Sequence, residues 1–354
     1  MKGSVRLGVI GCGVIGTIHL RAAAAAPEVT LAAVADQLPG RAKEAADEFG
    51  AGRAYLDAEE LIADPGVEAV VLALHAAGRA QLAVRALEAG KHVLVEKPPA
   101  LNAAEVRTML AAQGDRVAAC CSSRRRFYES YDAAEACVAS GALGELREIY
   151  CRVIEGAQPP TGREPPPWRV SRALNGGGIA ANWTSYDLDY LLGLTGWRLR
   201  PELTLARTWP VAGHLASRVA PGSDGESHYV ALVLCADGAT LHLERGEFSA
   251  LRREHAWQVI GTHGSLRLEM ERDEHKRIVL DTATDTEGVA SRVIWEGAED
   301  PWRQHRWPVT DFCRAILGGG PPKTTLQQAL VIQRILDSVY ASADRGAAVA
   351  VGAA

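Results

Sequence analysis

The sequence predicts an α/β protein in two parts: a doubly wound parallel sheet over residues 1–122, then an α+β domain with a large, mostly antiparallel open sheet over residues 123–354. Three observations carry the prediction. Short apolar strands alternate with helical segments through the first third of the chain, the βαβ rhythm of a parallel sheet. A glycine-rich turn, Gly11-Cys12-Gly13-Val14-Ile15-Gly16, sits between the first strand and the first helix. Beyond the basic cluster Arg124-Arg125-Arg126 the rhythm gives way to longer strand-like runs joined by turns.

In the first part the pattern reads strand 5–10, helix 13–26, strand 30–36, helix 40–49, strand 69–74, helix 79–89 and strand 92–96. A helical stretch after Ala100-Leu101-Asn102 leads to a last strand, 116–120. In the second part, runs 228–235 and 239–243 flank Ala236-Asp237-Gly238, and Asp-Gly between apolar runs signals a hairpin. Runs 257–260 and 265–269 repeat the unit around Gly261-Thr262-His263-Gly264. Helices 307–317 and 326–345, separated by Gly318-Gly319-Gly320-Pro321-Pro322, close the chain, and no repeat of solenoid period is visible.

Composition bounds the function. A chain of 354 residues suggests two domains, and 47% hydrophobic with 23% charged residues suits a globular core. Lys and Arg number 38 against 43 Asp and Glu, so 38 − 43 gives a net charge of −5, which argues against a nucleic-acid partner. The seven cysteines, Cys12, Cys120, Cys121, Cys137, Cys151, Cys235 and Cys313, show no CxxC pairing or zinc spacing. That points to reduced thiols in a cytoplasm, with neither a disulfide framework nor a metal. The first six residues run straight into a strand, which leaves no export signal, and no apolar run approaches the ~18 residues of a membrane span.

The glycine turn fits G-x-G-x-x-G where its mechanism needs it. Gly11 and Gly13 allow a tight turn and close approach of a pyrophosphate, Gly16 lets helix and strand pack, and the N–H groups of Val14, Ile15 and their neighbours face the anion. Asp36 follows at 36 − 16 = 20 residues, where a carboxylate accepts from a ribose hydroxyl pair and repels a 2′-phosphate. The expected cofactor is therefore NAD rather than NADP, with Arg41 the nearby group that would serve a phosphate if Asp36 turned away.

The stretch Gly90-Lys91-His92-Val93-Leu94-Val95-Glu96-Lys97-Pro98 ends a strand on a lysine, and ligands of open parallel sheets collect beyond the strands' carboxyl ends. Together with the glycine turn, Arg126-Phe127, Gly141-Ala142-Leu143-Gly144-Glu145, Trp168-Arg169 and Gly176-Gly177-Gly178, it resembles the glucose-fructose oxidoreductase / inositol dehydrogenase (Gfo/Idh/MocA) family over essentially the whole chain. The resemblance implies a Rossmann domain binding NAD, a catalytic lysine at Lys97, and a second domain whose large sheet joins copies into homodimers or homotetramers. Leu74-His75 stands where relatives often carry Thr-Pro, and these two residues with Glu96 are expected near the cofactor.

The second domain departs from the family pattern. Relatives often place an Asp, a His and a further Asp after the triple glycine, whereas this chain has Asn182, Tyr186 and Asp189. On a helix starting after the glycines these follow i, i+4, i+7 and share a stripe expected to line a pocket at Lys97. Trp168, Arg169 and Arg125 are further candidates for substrate contact, and the Pro-rich loop 158–167 for a rim.

The implied activity is hydride transfer between nicotinamide and a secondary alcohol or ketone of a sugar, sugar derivative or cyclitol. Lys97 would orient and polarise the oxygen, and Tyr186, whose phenol ionises near ~10 unless a cation stands by, becomes a usable acid/base beside it; the two would titrate as a pair, which leaves open which of them carries the proton. Asn182 can only hydrogen-bond. Two alternatives accompany this reading: a redox-neutral glycosidase that oxidises a sugar transiently with bound NAD, and a nucleotide-sensing regulator on the same fold. Biliverdin-type and dihydrodiol-type substrates suit such polar groups less well.

Overall fold

A computed structural model describes residues 3–160, 162–270 and 275–352. The chain forms two compact units, one of residues 1–124 and 301–331, the other of residues 125–300 and 332–354.

The first unit runs β1 (Val5–Ile10), α1 (Val14–Ala24), β2 (Val29–Ala35), α2 (Pro39–Phe49), β3 (Arg53–Tyr55), α3 (Ala58–Ala63), β4 (Ala69–Leu72), α4 (Arg79–Glu88), β5 (His92–Val95), α5 (Ala103–Ala112) and β6 (Ala118–Cys120). Its six strands lie in the order β3-β2-β1-β4-β5-β6, all pairs parallel. The strands are near-continuous apolar runs because both faces of the sheet are covered. Val9, Val71 and Leu94 meet Leu20 on one face, and Val70, Leu72 and Val93 meet Leu61 and Leu87 on the other. Asn102 caps the start of α5 by accepting from the Glu105 N–H at 3.0 Å.

Two differences from the sequence expectation concern this unit. Strand β3 and helix α3 escape the periodicity because they are only 3 and 6 residues long. Residues 301–331 belong here and not to the second unit: Val309, Phe312 and Cys313 of helix Arg303–Ile316 join one core layer, and Leu326 and Ala329 the other. Burial of each large apolar side chain contributes roughly 1.5–3 kcal/mol, which a sequence window cannot assign to a sheet ~200 residues away.

The second unit runs α6 (Glu129–Ala139), β7 (Leu146–Gly156), α7 (Arg172–Asn175), a wide π turn (Ala180–Thr184), α8 (Ser185–Leu194), β8 (Pro201–Pro210), β9 (Glu226–Cys235), β10 (Thr240–Ser249), β11 (Arg253–Gly261), β12 (Gly264–Leu268), β13 (Lys276–Thr284) and β14 (Gly288–Gly297). Its sheet is ordered β14-β13-β12-β11-β7-β10-β9-β8 with the short strand Val349–Ala350 at the edge. All pairs are antiparallel except β7 with β10. The expected hairpin joins β9 to β10, with Gly238 at φ +84° in the turn. Ile149, Cys151, Tyr229, Val233, Leu241 and Val259 point into the core, while Leu203, Leu205, Trp209, Leu232 and Leu234 are exposed. No helix among the described residues is long and apolar enough to cross a membrane.

Candidate active site

The strand order of the first unit reverses between β1 and β4, the point at which open α/β sheets bind ligands. The glycine turn follows β1 there. A Cβ on Gly16 would lie 1.8 Å from the Gly11 carbonyl oxygen, so helix α1 sits as close to the turn as only glycine permits. Around Gly13, by contrast, nothing lies within 4 Å of where a Cβ would be, and no side chain caps the first turn of α1. Open space against free helix N–H groups is what an anionic pyrophosphate fits. Val14 is 87% exposed at that helix start, and Ile15 is half-buried.

Asp36 follows β2. Its Oδ2 accepts from the Cys12 N–H and its Oδ1 from the Leu38 N–H, each at 2.9 Å, and Arg41 stands 3.7 Å away. Both oxygens are oriented beforehand and keep lone pairs for a ribose diol. After β4, Leu74 packs beside Gly11 and His75 is exposed. Gly11, Gly13, Val14, Ile15, Gly16, Asp36, Leu74 and His75 thus gather at one end of the sheet and fit a dinucleotide.

Strand β5 delivers Glu96 and Lys97 to the same end, with a cis peptide at Lys97-Pro98. Glu96 is buried, and its Oε1 accepts from His19 Nε2 at 2.8 Å and from Arg124. Burial alone would raise its carboxyl, but the Arg124 guanidinium, the His19 hydrogen bond and the charge of Lys97 outweigh it and hold the group well below the usual carboxylate range. Its Oε2 also accepts from the Lys97 N–H at 3.1 Å. Lys97 is therefore anchored through its backbone while its side chain remains half-buried. His19, Glu96 and Cys121 have the spacing of a metal-ligand set. A guanidinium already rests on the shared carboxylate oxygen, however, and burial pushes the Cys121 thiol well up, which disfavours the thiolate a metal needs.

The second unit carries the other candidates on the π turn and α8. Asn182 and Tyr186 are buried, and the Tyr186 ring lies 5.9 Å from that of Trp183. Arg125 stands over both rings, 5.7 Å from Tyr186 and 5.9 Å from Trp183. Asp189, expected on the same stripe, is instead fully buried with its carboxylate accepting from Arg126 Nη1 at 3.2 Å. Asn182 lies in the wide turn over residues 180–184, while Tyr186 and Asp189 lie on α8. Asp187 beside it accepts two bonds from Arg245, at 2.5 and 2.8 Å, and one from Trp257 Nε1 at 3.3 Å. Arg169 is paired with Glu247, whose carboxyl burial raises against that pull, and Trp168 is exposed.

Several residues of this machinery carry no sequence signal. Glu226 caps the π turn by accepting from Gly178 N–H at 3.0 Å, Ala180 N–H at 2.8 Å and the Tyr340 hydroxyl at 3.0 Å. Burial nonetheless raises its carboxyl. His19, Arg79, Asp187 and Arg245 are equally silent in the sequence. The sequence does not show that all three members of the arginine triplet are buried.

Residues 5–120 match the family described as an oxidoreductase family with an NAD-binding Rossmann fold, and residues 131–267 match the GFO/IDH/MocA C-terminal domain. The myo-inositol 2-dehydrogenase of Thermotoga maritima is 32% identical over 193 residues, 53% of this chain and 55% of that protein. The levoglucosan dehydrogenase of Pseudarthrobacter phenanthrenivorans is 25% identical over 386 aligned positions, 96% of each chain. A solved oxidoreductase domain protein from Kribbella flavida has the same fold, with a TM-score of 0.85 at 22% identity over 99% of both chains.

Proposed function

Because this chain belongs to the Gfo/Idh/MocA family of oxidoreductases, with an NAD-binding Rossmann domain at its N-terminus, we propose that it transfers a hydride between NAD and a secondary alcohol or ketone of a sugar, sugar derivative or cyclitol. The observation that carries this reading is the delivery of Lys97, anchored through Glu96, to the sheet end that carries the glycine turn and Asp36. Relatives named for inositol and levoglucosan as substrates support the polyol class.

NAD, when bound, supplies the redox chemistry. Lys97 holds and polarises the reacting oxygen with its ammonium group. Tyr186 exchanges the hydroxyl proton, its ring packed beside both Trp183 and Arg125. Asn182 has no titratable proton and positions a substrate hydroxyl. Arg125 and Trp168 remain for the rest of the substrate, whereas Arg169 and Asp189 contribute through their ion pairs. We place the protein in a reducing cytoplasm, as its seven free cysteines suit, and assign association into homodimers or homotetramers to the exposed apolar side of the large sheet.

Purified protein is expected to reduce NAD in proportion to polyol consumed, in a spectrophotometric screen of sugars and inositols. Lys97→Ala and Tyr186→Phe should each lower turnover about 10²-fold or more, the scale of acid/base groups, while NADH still binds by fluorescence titration. Near-normal turnover in both variants would end the assignment. The backbone-held carboxylate makes a second prediction: Asp36→Ala should raise the KM for NAD about tenfold or more and narrow the preference over NADP, read from kcat/KM ratios.

A further inference from the structure

Arg79, the first residue of α4, is only 1% exposed, an unusual place for a guanidinium. Its surroundings disfavour it twice over. Burial pushes its proton affinity down, and a cation at a helix N-terminus faces the positive end of the peptide dipoles. The charges of Glu96 and Glu105 offset only part of the burial, and neither carboxylate forms an ion pair with it among the described residues. Every hydrogen bond it makes goes to a backbone carbonyl: Nε and Nη2 donate to Leu74 O, the former at 3.1 Å, while Nη1 donates to both Glu96 O and Pro98 O.

Those three carbonyls are not scattered. Leu74 lies in the segment after β4 that packs against Gly11 of the glycine turn, and Glu96 and Pro98 are the immediate neighbours of Lys97 on either side. An apolar side chain of similar size would fill the space without placing a charge there. What the planar fork adds is a rigid span between two loops, with donors set in one plane.

We propose that Arg79 is the positioning residue for Lys97, a clamp that fixes the height of the Glu96-Lys97-Pro98 segment against the Leu74-His75 segment. This rests on the reading of Lys97 as the group that meets the reacting oxygen. Arg79 itself acts through the backbone and not by touching substrate or cofactor. Its effect is on where the Lys97 amine sits, and a displacement of the order of 1 Å at a reacting group lowers rates by as much as about 10²-fold.

The test uses full-length Arg79→Lys and Arg79→Met with two readouts. The first is steady-state kinetics with NAD and the best polyol. Arg79→Lys is expected to fold, to bind NADH within about threefold of the parent, and to lose roughly tenfold or more in kcat with a displaced kcat–pH profile and little change in KM. The second needs no turnover: a 13C-NMR titration of the reductively methylated Lys97 amine, identified by its loss in Lys97→Arg, should shift in the Arg79 variants. Unchanged kcat, pH profile and titration in a folded variant would overturn the clamp, as would failure of both variants to fold, which would make Arg79 a folding residue. If the parent turns over no polyol but the titration moves, the functional reading fails and the clamp stands. Should the parent turn over while neither readout moves, the clamp fails alone.

Discussion

Replacing Glu96 by alanine is expected to destabilise the first unit by about 3–5 kcal/mol, because it removes the buried carboxylate that accepts from the Arg124 guanidinium. For a unit of 124 + 31 = 155 residues that corresponds to a fall of about 10 °C in its melting transition, measurable by calorimetry. Glu96→Gln should lose less, since an amide oxygen still accepts from His19. The pH dependence follows from the direction of the shift. The folded carboxyl lies below its ordinary value of 4.5, so the stability it contributes is present above that value and disappears as pH falls through the lower, folded one. The parent and Glu96→Ala should therefore differ fully at neutral pH and converge in acid. A loss under about 1 kcal/mol, or a gap that widens on acidification, would show that the pair does not hold the unit.

In the second unit Gly178→Ala is expected to lose about 3 kcal/mol or more, at the severe end for point changes. The new methyl would lie 1.9 Å from the Glu226 carbonyl oxygen and 2.6 Å from its nitrogen, and backbone cannot rotate aside as a side chain can. Relief would require the strand β9 or the π turn to move. Either motion breaks the bonds by which Glu226 caps that turn, and with them the seat of Asn182 and Tyr186. Gly213→Ala in the same unit is the control, since nothing lies within 4 Å of its added methyl. Denaturant melts should put the control within about 0.5 kcal/mol of the parent. Equal stability of the two variants would contradict the packing described.

The site was legible where chemistry is written in contiguous residues. Strand β1, the glycine turn, Asp36 at the end of β2 and Lys97 at the end of β5 each carry their signal within one window, because the strand-turn-helix geometry they serve is local. What spans the sheet was not legible. No periodicity announces that β10 pairs parallel with β7, some 90 residues before it, or that Glu226 on β9 caps a turn 46 residues upstream. Nothing in the spacing of Asn182, Tyr186 and Asp189 announces that a wide turn, rather than an α-helix, carries the first of them. Arg79 reads as an ordinary surface arginine at a helix start, and only burial against three carbonyls distinguishes it.

The return of residues 301–331 to the first unit sets an order of events during synthesis. Val309, Phe312, Leu326 and Ala329 are needed on the two faces of the parallel sheet, yet 301 − 124 = 177 residues must be added after Arg124 before the first of this segment exists. At ~5–20 residues per second the nascent sheet waits roughly 10–35 s with apolar surface open to water. A fragment ending at Arg124 would remain in that condition permanently, as an aggregating half-core. The dinucleotide end thus leaves the ribosome well before the segment that completes its core.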